Sequence, residues 1–97
     1  MQFTIKGNQI VATTDDGQWA GDVTFPFVDQ ANQRVVVERV FVVPEFRNHG
    51  LAAQLMDQFV QLAERKHWVV KIMCPYAKRY FKLHSEAQTV LLPEDRF

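Results

Sequence analysis

Along the first third of the chain, apolar and polar positions alternate with a period of two. Phe3 and Ile5 face Ile10 and Ala12 across Gly7-Asn8, and both turn residues tolerate positive φ, so the pattern predicts a hairpin. Asp15-Asp16-Gly17 signals a second turn. From Trp19 to Val28 the residues Trp19, Gly21, Val23, Phe25 and Phe27 alternate with Asp22 and Thr24, which predicts a strand with one buried face. Pro26 cannot donate to a sheet ladder and argues for an edge or a bulge at that point. After the polar loop Asp29–Gln33, the run from Arg34 to Val43 is the most strongly β-branched in the chain. Val36, Glu38, Val40 and Val42 form one face and Val35, Val37, Arg39, Phe41 and Val43 the other. Both faces are mostly apolar, which predicts one central strand covered on each side.

Beyond Pro44 the period changes to that of a helix. Leu51, Leu55, Phe59 and Leu62, widened by Met56, Val60 and Ala63, predict an amphipathic helix over Leu51–Lys66, with Asp57, Gln58, Gln61, Glu64 and Arg65 outward. Trp68 to Met73 reads as a short strand. A strand–helix–strand unit of this length makes a right-handed crossover to a parallel neighbour. Cys74-Pro75 opens a second helix through about His84, with Pro75 at the first position, where a missing N–H costs nothing. The tail from Ser85 is weakly patterned. The elements predict a mixed α/β (α+β) fold over residues 1–97 as one domain, an antiparallel meander followed by a βαβα end.

Composition narrows the function classes. With 47% hydrophobic and 23% charged residues the chain has the make-up of an ordinary globular protein. Eleven Lys and Arg balance eleven Asp and Glu, so no overall field favours nucleic acid or an anionic membrane, and any anion site must be local. The absence of a membrane-length apolar run and of a signal-like start, together with a single cysteine, predicts a soluble cytoplasmic protein without disulfides or a metal cluster. No P-loop and no Gly-x-Gly-x-x-Gly fingerprint is present.

The chemistry concentrates at Val42-Val43-Pro44-Glu45-Phe46-Arg47-Asn48-His49-Gly50-Leu51-Ala52. A strand ends, a short loop carries one arginine and one glycine, and a helix opens at once. Such a turn aims unpaired backbone N–H groups and the positive end of a helix dipole at one point, a site for phosphate or pyrophosphate. Asn48-His49 follows the arginine, and asparagine tolerates the left-handed conformation better than most residues, so the loop can close.

The order of elements, with the loop Arg47-x-x-Gly50-x-Ala52 between the central strand and the long helix, resembles the GCN5-related N-acetyltransferase superfamily. The resemblance is closer to its small single-domain members, which carry a Cys-Pro-Tyr-like motif after the next strand. Here that motif reads Cys74-Pro75-Tyr76-Ala77 and continues to Tyr80 and His84. The resemblance implies that Arg47, Asn48, His49, Gly50, Leu51 and Ala52 cradle the pyrophosphate of acetyl-CoA. It also implies that the pantetheine runs beside Val40 to Val43, bonding to the backbone of Val42 and Val43, and that the Trp68–Met73 strand splays away. Cys74 and Tyr80 are then candidates for the thiol end of the ligand.

Acetyl transfer needs a neutral amine, a polarised thioester carbonyl and a proton for the departing thiolate. A backbone N–H near Val42 or Val43 is the candidate for polarisation. Glu38, on an apolar strand, is expected to hold its proton more tightly and to suit a general base; the alternative is a partly exposed charge paired with Arg34, Arg39 or a lysine. Cys74 precedes a helix N-terminus with Lys71, Lys78 and Arg79 near in sequence, which favours a nucleophilic thiolate; a buried small hydrophobe is the other reading. Tyr76 and Tyr80 are candidate proton donors, against a packing role. His84 fits a capping role at the end of its helix. The expected activity is acetyl-CoA-dependent acetylation of a small-molecule amine or a lysine side chain by a monomer or homodimer, with neither nucleic acid nor membrane as partner. A CoA-binding module without turnover and a purely structural domain whose sheet edge pairs with a partner are the alternatives.

Overall fold

The computed structural model describes residues 1–97. Strands β1 (Gln2–Lys6) and β2 (Gln9–Thr13) form the expected hairpin, with Phe3 opposite Ala12 and Ile5 opposite Ile10. β3 (Trp19–Thr24) pairs antiparallel with β2 and then with β6 (Arg39–Val42), giving a sheet of order β1-β2-β3-β6. A second sheet has the order β4-β5-β7, from β4 (Phe27–Asp29), β5 (Arg34–Val37) and β7 (Val69–Ile72). β7 runs parallel to β5, as a strand–helix–strand crossover requires.

The continuous strands expected over 19–28 and 34–43 are each divided. Pro26 breaks the first. Just before it, Asn8 clasps Phe25 through backbone and side chain: its carbonyl accepts from the Phe25 N–H at 2.9 Å, and its Nδ2 donates to the Phe25 carbonyl at 2.8 Å. The second divides at Glu38, whose N–H donates to the Thr24 carbonyl at 3.0 Å. β5 is buried on both faces, through Val35, Val36 and Val37, as a central strand should be. β6 is not: Arg39 is exposed, and Val40 and Phe41 are only half-buried. The chain therefore belongs to one sheet up to Val37 and to the other from Arg39.

Helix α1 (Leu51–Lys66) packs across β2, β3 and β6, burying Leu51, Leu55, Met56, Phe59, Val60, Leu62 and Ala63, the predicted stripe. His67 ends it in the left-handed region at φ 57°, and the Trp68 N–H donates back to the Ala63 carbonyl at 2.9 Å. Phe25, Phe59 and Trp68 pack with tilted rings in the core, the Phe59 and Trp68 centroids lying 4.8 and 5.8 Å from that of Phe25. Helix α2 (Pro75–Leu83) starts at Pro75 as expected and buries Ala77, Tyr80 and Phe81. The weakly patterned tail packs as well. Gln88 is buried with its Nε2 donating to the Phe81 carbonyl and its Oε1 accepting from the Phe97 N–H, each at 2.8 Å. No helix is long and apolar enough to cross a membrane.

On the face of the β1-β2-β3-β6 sheet that bears Asp22 and Phe41, the carboxylate of Asp22 is buried. It accepts from Arg39 Nη2 at 2.9 Å on both oxygens and from Gln9 Nε2 at 2.8 Å. A charge out of water is held here by directed donors on both sides, the condition under which burial is tolerated.

Candidate functional site

β6 is the last strand of its sheet, so the edge away from β3 has no strand partner. β7 stays with β5 only as far as the pairing of Val37 with Ile72. There the Val37 carbonyl accepts from both the Met73 N–H at 3.0 Å and the Cys74 N–H at 3.1 Å, and the chain turns into α2. A gap opens between β6 and the start of α2. It holds a cavity of about 420 Å³ lined by Val40, Phe41, Val42, Phe46, Arg47 and Gly50, with Leu51, Ala52 and Tyr76 among the rest. The walls are chiefly apolar, suited to an alkyl chain carrying a few amides.

At the mouth of this groove lies the loop singled out in the sequence. Asn48 and Gly50 both take positive φ, at 66° and 79°, so the asparagine adopts the conformation it tolerates best after glycine. The first helical backbone bond is from the Gln54 N–H to the Gly50 carbonyl at 3.1 Å. The N–H groups of Asn48, His49, Gly50, Leu51, Ala52 and Ala53 make no hydrogen bond within the chain. No side chain caps the helix, and its first turn has no acidic residue. The positive end of α1 is thus left uncompensated beside a concave run of donors, a cradle for anionic oxygens.

Not every expected contact converges here. Arg47, Asn48, Gly50, Leu51, Ala52 and Val42 line the groove; His49 and Val43 do not. The Val43 N–H donates to the Ala20 carbonyl at 2.8 Å, so it is unavailable to a ligand. By the alternation of an antiparallel pair, the backbone of Val42 then points the other way, into the groove. Its carbonyl is met there by Arg47, whose Nε donates to it at 2.8 Å. Phe46 and Ala53 also line the cavity. Neither stands out in the sequence, because an apolar residue beside a turn gives no signal of the ligand it will touch.

The candidate chemical groups are placed unequally. Glu38 departs from expectation: it is exposed at the break between β5 and β6, with the Thr24 hydroxyl donating to it at 3.4 Å, so the burial on which the base role rested is missing. Cys74 is buried in the main apolar cluster, outside the groove lining, and its sulfur makes no capping bond to α2. Tyr76 lines the groove. Burial pushes its phenol up from the usual range; Arg79 counters this, while Asp57 and Cys74 add to it.

Tyr80 points elsewhere. Its hydroxyl donates to Asp57 Oδ1 on α1 at 2.5 Å, and its ring stacks on His84 at 4.1 Å between centroids. His84 caps α2, its backbone N–H donating to the Tyr80 and Phe81 carbonyls. Burial, and next the hydrogen bond given to the Asp57 carboxylate, raise the Tyr80 phenol well above its ordinary value. Tyr80 therefore ties α2 to α1 and does not line the groove.

That tie is open to measurement. Tyr80→Phe is expected to cost about 1.5–3 kcal/mol, the scale of a hydrogen bond to a charged acceptor. A phenol whose pKa is raised by folding contributes its full stability below the unfolded value near 10.0 and loses it as pH climbs beyond. Urea unfolding should then show the two proteins farthest apart at pH 8 and converging towards pH 11. A difference that grows with pH would contradict the assignment.

An apolar groove in a parted sheet thus runs to a helix N-terminus with unpartnered amides, an arrangement suited to a long ligand with an anionic end. Residues 9–90 match the sequence model of the GCN5-related N-acetyl-transferase family, and the chain belongs to that family. Among solved structures it is similar to a GCN5-like protein from Staphylococcus aureus, at 21% identity and a TM-score of 0.74, over 94% of this chain and 87% of that one. It is also similar to the GNAT-family N-acetyltransferase YhbS of Escherichia coli, solved in complex with CoA, at 29% identity and a TM-score of 0.64. That match covers 81% of this chain but only 43% of the E. coli protein. A GNAT-family acetyltransferase from Elizabethkingia anophelis, solved with acetyl-CoA bound, shares 16% identity at a TM-score of 0.61, over 80% of this chain and 50% of that one. No curated protein matches the chain in sequence.

Proposed function

We propose that the protein transfers the acetyl group of acetyl-CoA to an amine, either of a small molecule or of a lysine side chain. The observation that carries this reading is the continuity of the apolar groove with the unpartnered amides of Asn48 to Ala53. Pyrophosphate at those amides sets the direction of the ligand, and pantetheine lies along the free edge of β6. The thioester then falls between Val42 and Tyr76. The Val42 N–H polarises the carbonyl, and the amine nitrogen attacks its carbon. As the C–S bond breaks, the thiolate takes the Tyr76 proton, and solvent later restores it. A phenol held up by burial stays protonated at neutral pH, as a donor must. The extra proton on the attacking nitrogen leaves to water, with exposed Glu38, in the break just before the strand that bears Val40 and Val42, as the carboxylate beside it in sequence. The Cys74-Pro75-Tyr76 sequence at the start of α2 supports reading the chain as one of the small members that carry such a motif.

Binding and turnover are tested together. Acetyl-CoA at millimolar concentration is expected to raise the melting temperature by several degrees, as a ligand bound only by the folded state does. Addition of a primary amine is expected to release free thiol, and Tyr76→Phe to slow that release by about 10²-fold, the usual contribution of a general acid. Absence of any thermal shift would exclude the proposal. The exposure of Glu38 favours one second reading, a CoA-binding module without turnover. That reading keeps the thermal shift and yields no thiol with any amine.

A further inference from the structure

The groove is not a simple open channel, because Arg47 meets Val42 within it. Arg47 Nε donates to the Val42 carbonyl at 2.8 Å, and the guanidinium lies over the Phe41 ring, 5.6 Å from its centroid. Val42 faces the groove, and its carbonyl is an acceptor that a pantetheine amide N–H running along β6 needs. The arginine thus occupies, within the chain, a place on the path of the ligand. The side chain is exposed, and its own backbone directly precedes the amide cradle at Asn48. The long side chain therefore starts at the edge of the cradle, on the same loop as the amides.

From this contact we infer that Arg47 is a specificity-determining latch: closed on the Val42 carbonyl, it admits pantetheine thioesters that carry phosphate and disfavours those that do not. The inference rests on the acetyl-CoA reading above. The physical reason is a difference between two partners. A neutral carbonyl offers the guanidinium one ordinary hydrogen bond, helped by the Phe41 ring, whereas a pyrophosphate offers charged, bidentate acceptors that bind it more strongly. A donor with pyrophosphate supplies the replacement that frees Val42. A phosphate-free thioester must break the Arg47 contact with nothing to offer in exchange. Linkage then requires that occupation of the cradle and occupation of the groove favour each other.

Calorimetric titration with S-acetyl-pantetheine, which lacks every phosphate, separates the latch from a plain phosphate ligand. On the unaltered protein, inorganic pyrophosphate is expected to tighten S-acetyl-pantetheine binding at least threefold. Arg47→Met is expected to tighten S-acetyl-pantetheine binding at least threefold with no pyrophosphate present, and to weaken acetyl-CoA about tenfold. An arginine that only contacts phosphate would leave S-acetyl-pantetheine unchanged; one that only braces the loop would weaken both thioesters. Independent binding of the two fragments to the unaltered protein overturns the latch, as does an unchanged or weaker S-acetyl-pantetheine affinity in the folded variant. If the variant does not fold, the pyrophosphate titration decides alone. Failure of acetyl-CoA to bind the unaltered protein would instead strike the functional reading itself.

Discussion

Gly21→Ala is expected to cost about 3 kcal/mol or more, the upper end of what an overfilled interior loses, and to leave little folded protein at 37 °C. Gly21 lies on β3 opposite Val42. A Cβ built on it would sit 2.3 Å from the Phe41 carbonyl oxygen and 3.1 Å from the Val42 Cα. Both neighbours are backbone, so no side chain can rotate to relieve the overlap. Relief requires β6 to move away from β3, and β6 is the strand that carries Val40 and Val42, the wall of the ligand groove. Chemical denaturation should therefore show a large loss of stability, and any folded residue of the variant should bind acetyl-CoA weakly. Gly17→Ala is the matching control: nothing lies within 4 Å of its Cβ, and the only penalty is the left-handed φ of 89°. That conformation costs roughly 1–2 kcal/mol in a non-glycine residue. If Gly21→Ala were no worse than Gly17→Ala, the close approach of the two strands would be refuted.

The same region shows where sequence reading succeeds and where it stops. Helical periodicity is a property of one segment, and the stripe from Leu51 to Ala63 is buried as expected. The register of β1 on β2 was also legible, because a short turn at Gly7-Asn8 leaves few alternatives. The run from Arg34 to Val43 has the alternation of a strand throughout, yet it serves two sheets. Alternation fixes the face of each side chain but not the partner on either edge. Pro26 marks the break in its own strand, which it cannot continue as a donor, but nothing in the sequence marks the break at Glu38. The exposure of Glu38 follows directly, because the break between the two strands falls on it. Val43 differs in kind: whether its N–H serves a neighbour or a ligand depends on pairing with Ala20, a contact no local pattern encodes. Tyr80 and Tyr76 stand four residues apart on one helix, and only the position of Asp57 on α1 assigns the first to packing. The backbone conformation of the loop before α1 is the most legible part of the candidate site. Its donors are backbone, and the loop chemistry of Asn48 and Gly50 dictates where they point.

Gly50→Glu is expected to weaken acetyl-CoA binding at least 100-fold while leaving the protein folded. Space is not the obstacle, because nothing lies within 4 Å of a Cβ at this position. The left-handed φ of 79° costs the new residue roughly 1–2 kcal/mol. Part of that is returned, since a carboxylate at an uncapped helix N-terminus gains about 0.3–1 kcal/mol from the dipole. The melting temperature should therefore move by only a few degrees. The effect on the ligand has the opposite sign. The carboxylate would take up the unpartnered amides of Leu51, Ala52 and Ala53 and oppose the pyrophosphate with its own charge. At about 4 Å, two like charges near a protein surface repel by about 4 kcal/mol before salt screening, enough for a loss of two or more decades. Gly50→Asn separates the contributions, being neutral and tolerant of the left-handed region; it should lose less than about tenfold, since it brings neither the charge nor most of the strain. Titration calorimetry at low and high salt reads both variants, and the glutamate penalty should shrink as salt rises. A dissociation constant for Gly50→Glu within tenfold of the unaltered protein would mean that the helix N-terminus does not hold the pyrophosphate.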